Sequence, residues 1–557
     1  MQEAQGANVL PAQDNRYIRW QIYIALLAVT LGMLFGLFQA LERARINPYA
    51  QLPVVNNYYQ GLTLHGVLNV LVFTFAFTNA FLTLVVVRSL NRRIFSPFLL
   101  ATSFWLTLVG VVLAGWAMLS GQANVLFTFY PPLKAHPLYY LGLTLVAAST
   151  WVTSANLFLS LRAWKRAHPG QRAPLPAFVA VATYVMWDIA SVGLAVEIVV
   201  LILPWSFGLI QTTDPLLARM LFWFTGHPIV YFWLLPAYIS WYTMIPRQVG
   251  GKLLSDPLTR LVFLLFIVLS IPIGFHHQYT DPGISEGWKF VHGLLTLAVS
   301  MPSIITAFSV IAALENGGRA RGGRGLLGWI PRLPWGDPSV STQLLAMITF
   351  VFGGSTGILN ASYNMNLVLH NTAWVPGHFH LTVGSAVTMS YMGILYWLLP
   401  HLTGRRLWAP KLGVLQGWLW LVGVFTMSRG MMQAGLENMP RRTAMAESAY
   451  FDLRPEWVAP GLLTAAGGTV LFISGMLFIL IMVMTALASR RAEVVPEMPI
   501  AEAMQGASTG WPALERWRLW VGASALLIIL AYGPTLIVYA PALNAFGFNP
   551  ALPVPIR

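Results

Sequence analysis

Cysteine is absent from all 557 residues. The chain therefore forms no disulfide, zinc finger or iron–sulfur cluster, and attaches no haem through Cys-x-x-Cys-His. Any thiolate-bound copper would have to belong to another chain. Charge is scarce as well: Asp, Glu, Lys and Arg make up 9% of residues, and only 19 are acidic. Histidines number 11. There is no short repeat, no low-complexity tract and no stretch that reads as a soluble domain. What fills the chain is apolar, 57% of it, and 13% is aromatic. A soluble chain of this length would split into several domains, whereas long runs with few charges indicate a polytopic membrane protein.

The apolar runs predict an all-α protein of about thirteen membrane spans, near residues 17–42, 61–88, 97–119, 136–161, 175–206, 214–244, 257–279, 288–314, 338–360, 375–400, 411–436, 459–489 and 519–543. Each is long enough to cross roughly 30 Å of hydrocarbon. The first is too long, and wrongly flanked, for a cleaved secretory signal, and nothing resembles a transit peptide. The expectation is one transmembrane domain over 1–557, with a core at about 17–489 and an extra C-terminal span at about 519–543. Loops at 44–60, 120–135 and 437–458 carry Pro, Asn and Tyr and read as ordered caps on the outer side. The longest polar inserts are 315–337 and 490–517.

The formal charge of +14 is uneven. With the N-terminus in the cytoplasm and the spans alternating, the inner segments hold Arg16, Arg19, Arg88, Arg92, Arg93, Arg162, Lys165, Arg166 and Arg172. They also hold Arg247, Lys252, Arg260, Arg319, Arg321, Arg324, Arg332, Arg405, Arg406, Lys411, Arg490, Arg491, Arg516 and Arg518, which makes 23 of the 33 basic residues. The positive-inside rule then places the N-terminus inside and the C-terminus outside. Orientation accounts for the basic excess, so no nucleic-acid partner is expected. A lipid bilayer is.

Six histidines fall at one depth of these spans: His65, His227, His276, His277, His378 and His380. Ionisable residues at membrane depth are costly and are functional candidates by default. Neutral imidazole is a good ligand for iron and copper. His378 and His380 are two apart, so at about 100° per residue they point to nearly opposite helix faces. One helix can thus serve two adjacent metal centres, and His65 can supply the second axial ligand of one of them. A bis-histidine haem is coordinatively full and suits electron transfer, whereas a haem with one protein ligand keeps an open face.

His276 and His277 would diverge by about 100° in a regular helix. Pro272 and Gly274 upstream allow a distortion that turns both to one copper, with His227 as third ligand. Tyr231 follows His227 by four residues and shares its helical face. Tyr238 and Tyr242 continue that face inward over roughly 16 Å, and the next inward span carries Ser303, Thr306 and Ser309. Such a hydroxyl row can carry protons, although tyrosines and small hydroxyls also pack membrane helices. Arg441 and Arg442 precede the twelfth span, and paired arginines suit carboxylates such as haem propionates. Asp188 and Glu197 lie within the fifth span and suit either a proton path or bonding within the bundle. His136, His168, His292 and His401 lack partners at ligand spacing and read as interfacial or structural.

The motifs that carry these residues are His65-Gly66, Gly226-His227-Pro228-Ile229-Val230-Tyr231, His276-His277-Gln278 and Val375-Pro376-Gly377-His378-Phe379-His380. In their order along the chain they resemble the catalytic subunit of haem–copper oxygen reductases, essentially over its whole length. The closer resemblance is to the B-type branch, that of ba-type terminal cytochrome c oxidases. Ile229 stands where many A-type enzymes carry Glu, the eighth span offers hydroxyls in place of a channel Lys, and the thirteenth span also fits the B-type.

The resemblance implies roles. His65 and His380 would hold a low-spin haem, expected to be b-type. His378 would hold a high-spin haem of a- or b-type. His227, His276 and His277 would bind copper B, and Tyr231 would be cross-linked to His227 as the redox-active phenol. Arg441, Arg442 and His370 would line the propionates, and Asn366 stands where the nearest relatives are expected to carry an acid. The implied activity is reduction of O2 to water coupled to proton translocation, with cytoplasmic protons entering along Tyr238, Tyr242, Ser303, Thr306 and Ser309. The expected setting is a prokaryotic inner membrane. The expected partners are a subunit II with a dinuclear copper centre, cytochrome c as donor and, as a further option, a small single-helix subunit. One rival is a nitric oxide reductase of the same superfamily, which places glutamate near a non-haem iron. The other is a secondary transporter or non-catalytic membrane scaffold, for which the histidine convergence would be accidental.

Overall fold

Proline and short polar residues set where the helices of the computed structural model begin. It describes residues 12–446 and 454–544, so residues 447–453 of the third outer cap and both chain ends of the expected 1–557 domain lie outside the described residues. Eleven helices among the described residues are long and apolar enough to cross a membrane. Together with two further helices they are labelled in chain order. The first six are α1 (Gln13–Arg43), α2 (Tyr58–Ser89), α3 (Pro97–Leu119), α4 (Pro137–Ala167), α5 (Leu175–Ser206) and α6 (Pro215–Gln248). Then come α7 (Asp256–Leu269), α8 (Glu286–Ala320), α9 (Pro338–Ala361) and α10 (Trp374–Thr403). The last three are α11 (Pro410–Leu436), α12 (Pro455–Leu487) and α13 (Trp517–Asn544). The two outside the eleven are α7, which stops after 14 residues, and α11.

Side-chain caps satisfy the free amides at the helix starts. Asn57 accepts from Gln60 N at 2.8 Å, Asp214 from Leu216 N at 2.8 Å and Asp337 from Ser339 N at 2.8 Å. Pro at the first helical position follows Ser96, His136, Asp214 and Asp337, where its missing N–H costs nothing. Small residues let α11 and α12 approach closely: a Cβ at Gly423 would lie 2.8 Å from Leu471 N, and one at Gly467 would lie 2.3 Å from Met427 N. Lipid-facing positions such as Phe98, Phe308 and Ile537 are exposed, whereas α2 and α10 are almost wholly buried at the centre.

Loops that the charge pattern groups on one side meet one another. Arg93 pairs with Asp14 at 2.9 Å, Lys252 with Glu502 at 3.1 Å, and Arg405 forms an antiparallel bridge with Arg491. The 490–517 insert is not free coil. It contributes β2 (Ala503–Gln505), which pairs in parallel with β1 (Leu253–Ser255). At the opposite face Arg43 donates to Pro440 O at 3.0 Å, and Thr372 bridges Pro440.

Arg260 anchors the insert. Its guanidinium is fully buried, bonds Asp256 at 2.6 Å and Glu515 at 3.1 Å, and donates to Ala173 O at 2.6 Å. Breaking a buried pair from one side leaves an uncompensated charge. Arg260→Ala is expected to destabilise the protein by about 3–5 kcal/mol. Limited proteolysis would then cut within 490–516 faster than in the parent, and an unchanged cleavage pattern would contradict this anchoring.

Candidate metal centres

Three of the six histidines converge on one point. The ligand nitrogens of His227, His276 and His277 lie within 4.8 Å of one another. His227 sits at the junction of two helical halves of α6, before Pro228. The helical run predicted over 257–279 ends at Leu269, and His276 and His277 lie on a short 3-10 turn, Gly274–Gln278. That irregular backbone brings the adjacent rings to centroids 4.1 Å apart, with His227 at 4.5 Å from His276 and 5.4 Å from His277. Trp223 stacks on His277 at 3.9 Å and 8°.

The donor set fits a copper ion. Thr296 donates its hydroxyl proton to His292 O at 2.6 Å, so its oxygen is free to accept from His276 Nδ1–H at 2.9 Å. His276 Nε2 therefore carries the lone pair. His227 Nδ1 approaches His277 Nε2 at 3.2 Å, a separation that two ligand atoms on one ion also produce. A second partner fixing tautomer and ring direction is the usual arrangement behind a metal-bound histidine. Tyr231 lies against His227 with centroids 4.9 Å apart, and the buried His227 Nε2 has no hydrogen-bond partner.

The other three histidines meet at α10. His65 and His380 face each other with ring centroids 6.0 Å apart and planes within 15°. An ion between two opposed imidazoles, at about 2 Å per metal–nitrogen bond, separates ring centres by about 6 Å. His65 Nδ1 is held by Gly32 O at 2.8 Å and His380 Nδ1 by Pro376 O at 2.7 Å, so both offer Nε2. His378 turns the other way, to Thr356 Oγ1 at 3.0 Å. Bare Cα atoms let the rings fit: a Cβ at Gly357 would lie 3.1 Å from His378, and one at Gly384 3.2 Å from His380. Pattern reading missed one device here. π-helical turns span Leu68–Phe73 and Thr382–Val387, just after His65 and just after His380. Such insertions concentrate at functional sites.

Above these rings lies a basic cluster. Arg441 donates to Asn371 Oδ1 at 2.9 Å, and Arg442 covers Phe127, which stacks on Phe379. Neither arginine has an ion pair among the described residues. Burial, with the adjacent Arg442 charge, pushes Arg441 down to about 9. Burial and Arg441 push His370 down to about 4, leaving it neutral, with Nδ1 against Asn366 Oδ1 at 3.1 Å. Partly buried positive charge with no ion pair among the described residues suits an anionic ligand such as a carboxylate. The sequence reading also missed Arg219, which grips Asp281 through two 2.8 Å bonds, Asp281 lying four residues after His277. A lone Arg and a lone Asp at one depth were the available signal.

Toward the basic face, Tyr238 donates to Ser303 at 3.1 Å and Tyr242 to Thr306 at 3.0 Å, with Ser309 buried one turn on. Phe266 packs against both Tyr231 and Tyr238. Of the two acids in α5, Asp188 accepts from Ser154, whereas both Glu197 oxygens are buried without a partner.

A helical membrane protein that gathers a facing histidine pair, a third histidine on the same helix and a three-histidine cluster belongs to the class of membrane redox metalloproteins. Residues 16–470 match the family described as cytochrome c and quinol oxidase polypeptide I. The chain is 47% identical over 533 residues to cytochrome c oxidase subunit 1 of Thermus thermophilus, covering 94% of each chain. It is 28% identical over 472 residues to a haem–copper oxidase subunit I+III of Aeropyrum pernix, covering 82% of this chain and 54% of that one. Among solved structures, a cryo-EM haem–copper terminal oxidase dimer superposes with TM-score 0.91 at 38% identity, covering 95% of this chain and 93% of that one. The chain belongs to the cytochrome c and quinol oxidase subunit I family, and is the catalytic subunit I of a haem–copper terminal oxidase. Membership implies haems and copper B.

Gly36 of α1 gives a direct test of the facing pair, because a Cβ there would lie 2.7 Å from His65 Cε1. Gly36→Ala is expected to displace this ring and alter one haem band of the reduced-minus-oxidised spectrum, leaving copper content unchanged. A parental spectrum at parental yield would count against it.

Proposed function

We propose that the protein is the catalytic subunit of a B-type oxygen reductase, reducing O2 to water with four electrons and four protons and coupling this to proton translocation. The observation that carries the reading is the three-histidine cluster with Tyr231 against His227, on helices that also pack around His378 and the His65–His380 pair. His65 and His380 would hold a low-spin haem, b-type by resemblance. His378 would hold a high-spin haem of a- or b-type, and His227, His276 and His277 would hold copper B. When bound, these groups supply electron storage and an O2-binding face.

The chain's own residues supply position and protons. Thr296 and Thr356 orient His276 and His378. Tyr231 holds a proton at its phenol oxygen beside the cluster and is the group placed to release it, and the orphaned His227 Nε2 supports the expected covalent link between the two rings. Tyr242 with Thr306 and Tyr238 with Ser303 form two hydrogen-bonded steps inward from it. Ser309 extends that route toward the cytoplasm. Arg441 and Arg442 are placed to bind propionates, and neutral His370, whose Nδ1–H is spent on Asn366 Oδ1, would line that region without donating to them. Asn366, hydrogen-bonded to His370 and Asn360 O, has no acid to offer a proton-loading step. Nitric oxide reduction fits less well, because Ile229 rather than Glu follows the His-Pro of α6.

Counting α7 and α11 as crossings gives thirteen spans. The N-terminus is then cytoplasmic and the C-terminus outside, in a prokaryotic inner membrane. The partners are a subunit II with a dinuclear copper centre and cytochrome c as donor, with a small single-helix subunit as a further option.

Metal analysis with reduced-minus-oxidised and carbon-monoxide difference spectra tests the reading. Two haems, one CO-reactive, and one copper in this chain are expected, while haem without copper in this chain would shift the reading to nitric oxide reduction. His227→Ala is expected to lose copper and O2 reduction while the low-spin haem bands persist. Full copper with retained turnover would overturn the ligand assignment. Tyr242→Phe removes one proton step and is expected to slow turnover by about a hundred-fold with both haem spectra unchanged. Parental turnover would remove this residue from the route.

A further inference from the structure

The segment that carries His276 and His277 is held from outside the core, by the last helix. We infer that α13 is a positioning element for the three-histidine cluster, acting through Tyr532 and through His292 of α8. The inference rests on the copper reading of that cluster.

α7 ends at Leu269, and the chain then runs without regular helix to Gly274. Backbone groups released by such a break need partners, because the hydrocarbon offers none. α13 provides them in sequence. Ser524, fully buried, donates to Ile267 O at 2.8 Å. Tyr532 donates its hydroxyl proton to Ile271 O at 3.1 Å and accepts from Gly274 N–H at 2.9 Å. Both functions of one phenol are thus spent on the backbone just before His276. Gly274 is pinned from two sides: a Cβ there would lie 2.2 Å from Trp223 O and 2.5 Å from the Tyr532 oxygen. Trp223 is the residue stacked on His277.

His292 completes the hold. It is fully buried and uses both ring nitrogens. Nδ1 accepts from Phe275 N–H at 3.2 Å, so the ring proton lies on Nε2, which donates to Ala531 O of α13 at 3.1 Å. Its carbonyl takes the Thr296 proton, which makes Thr296 an acceptor for His276 Nδ1. Phe275, His292 and Tyr532 pack together with centroids at 4.2, 5.0 and 4.8 Å. One continuous set of bonds therefore runs from α13 through His292 to the ligand direction of His276. The spacing argument left His292 without a ligand role, and the geometry gives it a supporting one. Outer partners of metal-bound histidines typically govern affinity by 10–100-fold.

The test uses the purified oxidase with its partner subunits and graded chelator, reading the infrared stretch of carbon monoxide on copper, and copper per haem beyond the two ions expected of subunit II. Tyr532→Phe keeps the ring and loses only the hydroxyl. It is expected to release copper at roughly 10–100-fold lower chelator and to shift the copper–CO band, with both haem spectra intact. His292→Leu is expected to do the same or more. His292→Asn, which keeps an acceptor toward Phe275 N–H, is expected to recover part of the loss. Leu526→Ala, on the lipid-facing side of α13, serves as the control with parental behaviour. Parental copper retention and CO band in both Tyr532→Phe and His292→Leu would overturn the inference. So would loss of both haems together with copper in both variants, since α13 would then support the bundle at large. Absence of a copper–CO band from the parent protein would sink the copper reading itself, and is distinguishable from either result.

Discussion

A membrane interior offers no water to an unpaired N–H or C=O, and the active part of this protein is built around that constraint. Bringing the adjacent His276 and His277 rings to one point with His227, as the proposed copper site requires, needs a backbone that is not a regular helix. Such backbone is tolerated at membrane depth only where protein groups satisfy it. Tyr532 and His292 supply partners to Ile271, Gly274 and Phe275 of the broken segment, and Ser524 supplies one to Ile267 in the last turn of α7. The same need explains why a helix outside the matched core region, beyond residue 470, is docked against the break. In this chain the irregular segment is closed by α13.

A second consequence concerns the rings. A neutral imidazole presents one lone pair and one N–H, so a partner that takes the N–H decides which nitrogen faces the metal. Gly32 O, Pro376 O, Thr356 and Thr296 do this for His65, His380, His378 and His276. Two of those partners are backbone carbonyls and two are threonines whose own protons go to backbone carbonyls. No carboxylate is used, which keeps negative charge out of the low-dielectric centre. Charge is gathered instead at the outer rim, where Arg441 and Arg442 lie beside neutral His370 and the Arg219–Asp281 pair.

How much of this is legible beforehand depends on range. The six histidines stand out because ionisable residues are rare in apolar spans, and their depth follows from span boundaries that structure and sequence share to within about six residues, except that the helix expected over 257–279 ends ten residues early at Leu269. The opposed directions of His378 and His380 follow from helical periodicity alone. The break before His276 is signalled by Pro272 and Gly274, which are local. The π-turns after His65 and His380 leave no periodic trace, since one extra residue per turn shifts the pattern no more than an ordinary boundary error. Thr296, Thr356, Arg219 and Tyr532 are ordinary residues at unremarked positions. What makes them part of the site is contact across tens to hundreds of residues, as with Tyr532 and Gly274. The strand pair joining Leu253 to Ala503 is hidden for the same reason.

The placement of two centres on α10 has a mechanical meaning. His378 and His380 are separated by one residue, Phe379, which packs against Trp233 and Phe127. Their separation is therefore set by covalent geometry and one helix diameter, and no loop can change it. The π-turn that follows changes the register of the rest of α10 without changing the register between the two histidines, because both lie before it. The distance between the two imidazoles, and between the haems they would hold, is thus fixed by the chain itself. The three-histidine cluster, carried by α6 and the broken segment, must instead be held in place by packing. The asymmetry explains why the supporting bonds from α8 and α13 converge on His276 and why none is needed between His378 and His380.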